Sequence, residues 1–597
     1  MCGVSGVVSI RPIDKAKLQE SLESLKHRGP DAQGLYISRN FNCGLAHARL
    51  SILDTSSNAN QPMHIEDNVI VYNGEIYNHL ELRRLVEVVW NTTSDTETFL
   101  MGYIKFGLSF FKKLKGMFSG AILSEEKNEL IIFRDSLGIK NLYYSSLDGE
   151  FIFSSEIKSL SRLISEPLKA NDDAVKTYLS FENYPQGVSL FNGVSNLLPG
   201  EIVRIKFGEK IETTHFFYGP EFEFSLQGND LVRQGKEIIE RSVSSHLISD
   251  VPVGVYLSGG LDSALVATIA SKKVKDLEAF TGYFECNDSF YDERYYARIV
   301  AKSAGIKINE IKITASDFIE NFDKVIWHLD EPRMGMGAFS QFIVAREASK
   351  KRKVILAGHG GDELFAGYPM FKAFWLYSKV GVKFNFFKSL TKIKIREWIW
   401  VLFLFFKRFM EGRLYFAPEI FKFNHSEFFK IFYTTNMKKI LDQLMGYYKS
   451  TYIPGLLAVE DKISMAHSLE TRVPLWSEEL GHWSSNISPD LKLGNGELKN
   501  ILRKIARSYL PEELFNAQKR GFPTPLRIWF RNELKDFIRD RLCHPNKFMD
   551  KFVPLKERIQ LVDHHISQEL PFSFDEKRAH KIWMLLCLES WARQFKL

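Results

Sequence analysis

The sequence predicts two successive units: an α+β unit of packed antiparallel sheets, then an α/β unit on a parallel sheet with helical additions. Three observations carry this. The chain has 597 residues, 45% of them hydrophobic, which exceeds the size at which one core keeps growing and suffices for two. Up to about Ile205 it shows short β-like runs, such as Leu130 to Phe133 and Phe151 to Phe153, between Gly- and Asp-rich turns, the pattern of antiparallel sheets. From Leu231 the strand-like runs Val253 to Leu257, Ala279 to Phe284 and Val354 to Ala357 alternate with helical stretches, the pattern of a parallel sheet whose ligands sit at strand C-termini. The expected boundaries are a first domain over 1–205, a linker over 206–230 that includes Tyr218 to Asp230, and a second domain over 231–597.

The first element to carry chemistry is Met1-Cys2-Gly3. Removal of the initiator methionine would leave Cys2 with a thiol and a free α-amine on one residue. An α-amine titrates at about 7.7–8.0, low enough to take a proton from an attacking thiol. By itself such a cysteine is weak evidence, and its neighbours decide. A thiol attacking a carboxamide develops an oxyanion, and the Asn73 side-chain amide with the Gly74 backbone N–H are donors of the type such a site uses.

In the second unit, Ser258-Gly259-Gly260-Leu261-Asp262-Ser263 lies where the Val253 to Leu257 strand turns into an apolar-faced helix, Ala264 to Ala270. Glycines let backbone approach a ligand closely, and helix N-terminal N–H groups with two serine hydroxyls make an anion cradle. No lysine follows the glycines, so the loop is not the common phosphate loop, and loss of whole pyrophosphate suits it better than transfer of a terminal phosphoryl group. Asp262, Asp362 and Glu363 supply hard oxygens suited to magnesium beside phosphates. Asp362 and Glu363 also stand where a helix cap is expected, so capping is the other reading of those two.

Four motifs in order, His27-Arg28-Gly29-Pro30-Asp31, Ala48-Arg49-Leu50-Ser51-Ile52, Tyr72-Asn73-Gly74-Glu75-Ile76-Tyr77-Asn78 and Ser94-Asp95-Thr96-Glu97, resemble the glutaminase half of the glutamine-dependent asparagine synthetases. The Ser258 to Ser263 loop, Gly358-His359-Gly360-Gly361-Asp362-Glu363-Leu364-Phe365-Ala366-Gly367-Tyr368 and Ser464-Met465-Ala466-His467-Ser468-Leu469-Glu470-Thr471-Arg472-Val473-Pro474 resemble the synthetase half. The resemblance implies an αββα sandwich of the N-terminal-nucleophile type ahead of an ATP-pyrophosphatase domain. It implies that Cys2 attacks glutamine, that Asn73 and Gly74 hold the oxyanion, and that the ammonia released reaches the second site by an internal passage. Arg49 is suited to grip an α-carboxylate, with Glu75 and Asp95 on the α-ammonium; outside their motifs such residues would be read as surface ion pairs. ATP and pyrophosphate would meet Leu257, Ser258, Gly259, Gly260, Leu261, Asp262, Ser263, Gly282, Ala357 and Gly358. Lys499 would stabilise charge during acyl-adenylate formation or breakdown. The implied reaction makes asparagine from aspartate, with ATP as substrate and magnesium bound at Asp262, Asp362 and Glu363.

One position departs from the pattern. An acidic residue is expected where the chain has His359, and an imidazole does not offer the same fixed negative charge to an ammonium. A related amidotransferase acting on another carboxylate, such as an acidic sugar of surface-polysaccharide assembly, is therefore the alternative. A sugar-phosphate amidotransferase would not need the Ser258 to Ser263 loop, and a β-lactam-forming synthetase would not need Cys2, Arg49 and Asp95.

The remaining features bound the setting. The chain has 79 basic and 72 acidic residues, net +7, a mild balance that carries no nucleic-acid signature. Five scattered cysteines without CxxC spacing imply a reducing compartment. The N-terminus lacks a basic flank ahead of a long apolar core, so a cytoplasmic protein is expected, with a homodimer left open. An insert at about 371–450 places seven basic residues, from Lys372 to Arg396, ahead of the apolar run Trp398 to Phe406. The run is too short for a spanning helix, which needs about 20 residues, but suits an interfacial segment touching a membrane surface or a membrane-bound partner; packing as a helical hairpin on the core is the other reading.

Overall fold

The computed structural model describes residues 2–597 apart from 148, 209, 220–229, 285, 287, 334, 373–374, 376–436 and 517–523. The run Trp398 to Phe406 and the basic residues from Lys379 to Arg396 lie outside the described residues. Among the described residues no helix is long and apolar enough to cross a membrane.

The first unit is built from β1 (Gly3–Ser9), β2 (Ala32–Ile37), β3 (Cys43–Arg49), β4 (Met63–Ile65), β5 (Asn68–Ile76), β6 (Gly116–Ser124), β7 (Glu129–Arg134), β8 (Tyr143–Leu147), β9 (Glu150–Ser154), β10 (Ser195–Asn196), β11 (Glu201–Lys206) and β12 (Glu212–Phe217). They form two six-stranded antiparallel sheets, in the orders β10-β8-β9-β1-β3-β2 and β12-β11-β7-β6-β5-β4. The period of two in side-chain direction explains the layering. Along β5, Val69 and Val71 join Val4, Val8, Leu45 and Phe153 between the sheets. Ile70 and Tyr72 point the other way, onto Leu82 of helix His79–Val86 and Phe99 of helix Asp95–Phe106. Helices Lys15–Glu23 and Ile157–Leu163 cover the outer face of the first sheet through Leu18, Leu22, Ile157 and Leu160. The result is the αββα sandwich.

The sheet continues past the expected boundary at Ile205. β12 pairs with β11 from Glu201↔Phe217 to Lys206↔Glu212, so Glu212–Phe217 belongs to the sheet and not to the linker. β12 is an edge strand whose residues are exposed apart from the half-buried Phe216, and an edge without a buried face carries no alternating hydrophobic signal.

The second unit holds a five-stranded sheet of β13 (Val253–Tyr256), β14 (Glu278–Phe284), β15 (Lys307–Ile313), β16 (Val354–Leu356) and β17 (Glu470–Arg472), ordered β15-β14-β13-β16-β17. All its pairings are parallel. Helix Leu261–Ser271 packs with Val255 and Leu356 on one face, and Phe339 and Ile343 of helix Gly337–Ser349 pack with Phe280 and Ile355 on the other. The order runs outward from β13 to β14 on one side and from β16 to β17 on the other. That reversal opens a crevice at the C-terminal ends of β13 and β16, where the Ser258 to Ser263 and Gly358 to Glu363 loops begin. A 23-residue helix, Phe572–Gln594, closes the chain, and Tyr178 of the first unit donates to its Met584 carbonyl at 3.2 Å.

Candidate active sites

Cys2 directly precedes β1 and is buried. Its N–H donates to Asn73 Oδ1 at 2.9 Å, and its thiol faces the Leu50 carbonyl at 3.9 Å. With Oδ1 so used, Asn73 Nδ2 is a buried donor with no partner among the described residues, the kind of group that stabilises an oxyanion. Gly74 beside it leaves no room for a side chain, since a Cβ would lie 2.1 Å from the Met117 carbonyl oxygen. Burial pushes the Cys2 thiol above its ordinary value, with the chain's α-amine acting in the opposite direction. The thiol therefore stays protonated until a base removes its proton.

The three residues expected to grip an amino acid are differently engaged. Arg49 Nη1 donates to the Ser56 carbonyl and to Asn60 Oδ1, each at 2.7 Å, and Nη2 donates to the Leu53 and Asp54 carbonyls. The guanidinium thus pins the 53–60 loop, and both of its Nη atoms are occupied by loop acceptors. Asp95, at the start of helix Asp95–Phe106, accepts from the Tyr72 hydroxyl and, at 2.9 Å, from the Ile76 N–H. Glu75 turns toward the second unit, with Oε1 3.7 Å from Arg472 Nη2. Burial, with Glu470 and Asp95 nearby, raises its carboxyl well above the usual range. In this arrangement Glu75 serves the junction between the units, because the fold brings β17 against the end of β5; the sequence showed the motif but not that contact.

The second site assembles at the crevice. Gly259, at φ +75, sits so close to the next helix that a Cβ would lie 2.9 Å from the Glu293 carbonyl oxygen. Ser258 and Ser263 hydroxyls lie 3.1 Å apart, and Ser263 Oγ donates to the Gly260 carbonyl at 3.1 Å. Leu257 follows β13 and Gly282 lies within the neighbouring strand: the Leu257 N–H bonds the Phe280 carbonyl at 3.0 Å, and Gly282 is buried in β14. Ala357 bonds the Arg472 carbonyl at 2.8 Å, and Gly358 is packed on the cradle, where a Cβ would lie 2.7 Å from Ser263 N. Lys499 Nζ lies 2.5 Å from Asp262 Oδ2 and 2.8 Å from Asp362 Oδ1. Burial works against that ammonium, but the two carboxylates outweigh it and push its pKa up. Two carboxylates therefore converge on one cation position next to the cradle, which fits hard-cation chemistry. Gly361 and Gly367 permit the approach, since a Cβ would come within 2.6 Å of Asp262 Oδ1 at the first and 1.9 Å of Asp362 Oδ1 at the second. Glu363 is buried beside them but accepts from the Tyr368 hydroxyl at 2.5 Å, and it is not one of the two that meet Lys499.

Residues without an expected role join the two units. Arg28 is fully buried; its Nε donates to the Cys2 carbonyl at 3.0 Å, Nη1 to Glu156 at 2.9 Å and Nη2 to Asp461 at 2.9 Å. Lys140 meets Asp461 at 3.0 Å, while Lys158 and Lys462 meet Asp330 at 2.8 and 2.9 Å. Burial alone would raise Glu156 and Asp461; His27, Lys158 and Arg28 hold the first well below its ordinary value, and Arg28 and Lys140 hold the second down. The signal in the sequence was Glu460-Asp461-Lys462 inside an otherwise apolar helix, Ile453–Met465, because charges at core positions require partners. A cleft of about 770 Å³ at the junction is lined by Tyr77, Lys115, Arg241 and Glu478; neither Cys2 nor the Ser258 to Ser263 loop lines it.

Comparison with known proteins finds a match for each of the two units. The glutamine amidotransferase domain model matches residues 1–218 and the asparagine synthase model residues 234–593. Glutamine-hydrolysing asparagine synthetase 1 of Bacillus subtilis is 30% identical over 626 aligned positions, covering 99% of this chain and 96% of the relative. Asparagine synthetase 3 of the same organism is 26% identical, covering 94% of this chain and 93% of its own. An amidase of Gibberella zeae is also 26% identical, with 92% of each chain covered. The chain belongs to the asparagine synthase family and carries its glutamine amidotransferase domain.

Proposed function

We propose that the chain makes asparagine from aspartate, releasing ammonia from glutamine at Cys2 and spending ATP, as AMP and pyrophosphate, at the Ser258 to Ser263 loop. The observation that carries this reading is the convergence of Asp262 and Asp362 on one cation position beside the glycine cradle, in a chain whose other site sets Cys2 against Asn73, the Nδ2 of which is buried with no partner among the described residues. Cys2 attacks the glutamine carboxamide; Asn73 Nδ2 and the Gly74 N–H receive the oxyanion; ammonia leaves and water releases glutamate from the thioester. Asp262 and Asp362 would hold magnesium, which supplies charge neutralisation for the pyrophosphate. Lys499, which fills the position between them in this structure, would give it up to the metal and stabilise negative charge as the acyl-adenylate forms. Arg49 and Asp95 bind glutamine once the 53–60 loop releases the guanidinium.

The test is pyrophosphate release with ATP, magnesium and glutamine, with and without aspartate, following asparagine by mass spectrometry. Aspartate-dependent pyrophosphate with asparagine formed is the expected result. Glutamate release with no asparagine would favour the second reading, another carboxylate acceptor, which His359 motivates.

A further inference from the structure

The imidazole at position 359 leaves the second site without the carboxylate expected there, and the structure holds a carboxylate next to it. Glu460, on helix Ile453–Met465, is 3% exposed. Its Oε2 lies 3.7 Å from His359 Nε2 and accepts from the Gln341 side-chain amide of helix Gly337–Ser349. Its Oε1 is buried with no partner among the described residues, and so is His359 Nδ1. Its neighbours on the helix are differently placed: Asp461 meets Arg28 and Lys140, and Lys462 meets Asp330. A buried carboxylate oxygen left unpaired is costly, and here the cost falls on the residue that faces the synthase loop. Gly358 and Gly361, either side of His359, pack on Ser263 and Asp262, so the pair stands at the cradle. Glu363, on the same loop, is a second carboxyl within electrostatic reach of the ring.

Resting on the proposed function, we infer that Glu460 is a positioning residue for amide formation: it holds the His359 ring with the proton on Nε2, leaving Nδ1 to accept a proton from the attacking ammonia. The ammonia lone pair forms the C–N bond at the acyl-adenylate carbonyl carbon, and the carbonyl pair moves to oxygen. An N–H proton passes to Nδ1, and the imidazolium so formed is balanced by Glu460. The oxygen pair then returns, the C–O bond to AMP breaks, and AMP leaves with that electron pair. The 3.7 Å separation exceeds a hydrogen bond, and such contacts commonly tighten in the reacting complex.

The experiment compares two rates in the full chain: aspartate-dependent exchange of labelled pyrophosphate into ATP, and asparagine formation from ammonium chloride. Glu460→Gln, which leaves His359 in place but unpositioned, is expected to lower asparagine formation by up to about a hundredfold, the low end of what a general base contributes, and to lower exchange far less. Glu460→Asp should fall between, and His359→Glu added to Glu460→Gln, which moves the carboxylate onto the loop, should recover at least about tenfold. Equal losses in both rates, or no loss in asparagine formation, would overturn the inference. A second readout needs no acceptor: ¹⁵N-histidine spectra, with the His359 signals assigned by their loss in His359→Gln. They should show the Nε2–H form more strongly favoured in the parent chain than in Glu460→Ala, which leaves no acceptor at that position; equal tautomer ratios in the two would refute the positioning role. A parent chain that makes no asparagine would instead count against aspartate as acceptor, while the spectra still decide the pair.

Discussion

Replacing Arg28 with methionine removes three bonds at once, those to the Cys2 carbonyl, Glu156 and Asp461. Breaking a buried ion pair by deleting one partner costs about 3–5 kcal/mol, because the surviving charge is left uncompensated. Here the lower end applies: Glu156 keeps Lys158 and His27, and Asp461 keeps Lys140. With a urea slope of about 2–3 kcal/mol per molar, a loss of about 3 kcal/mol moves the first unfolding midpoint down by about 1–1.5 M. The assay is urea titration followed by tryptophan fluorescence, alongside glutamate release from glutamine, which should fall because Cys2 loses its carbonyl anchor. The pH dependence follows from the depressed carboxyls of Glu156 and Asp461. A carboxyl held below its unfolded value contributes stability above that value, about 4, and loses it as pH falls through the native value. The difference between parent and variant should therefore be full at pH 7 and shrink below about pH 4. An unchanged midpoint at pH 7, or a difference indifferent to acid, would refute the account of this network.

Other consequences are open to direct measurement. Cys2→Ala should abolish synthesis driven by glutamine while leaving synthesis driven by ammonium, measured as pyrophosphate release with each nitrogen source; loss of both would count against the division of labour. Because burial raises the Cys2 thiol, its alkylation by iodoacetamide should keep rising through pH 9 and not level off there. Gly361→Ala places a Cβ about 2.6 Å from the Asp262 carboxylate and should weaken ATP binding, seen by calorimetry, without altering glutamate release. Lys499→Gln should lower pyrophosphate release by about a hundredfold or more, the scale of losing one preorganised charge, with glutaminase activity retained.

The glycines, serines and acids of the two synthase loops, the cysteine with its Asn73-Gly74 partner, and the alternation of strands and helices after Leu231 are all local features, and local spacing reveals local features. β7, β9, β14 and β16 lie where short apolar runs placed them, since a strand with a buried face writes its period into the chain. β12 did not announce itself, because its side chains face solvent. Nor did the sequence by itself show that Arg49 is occupied by its own loop, that Glu75 faces Arg472, that Asp262 and Asp362 meet at Lys499 while Glu363 turns to Tyr368, or that Glu460 lies beside His359. Those pairs are up to several hundred residues apart in the chain. What brings the distant pairs together is the order of strands in the parallel sheet and the burial of the Ile453–Met465 helix between the units, and a charge inside a buried helix acquires its meaning only from the side chains packed against it.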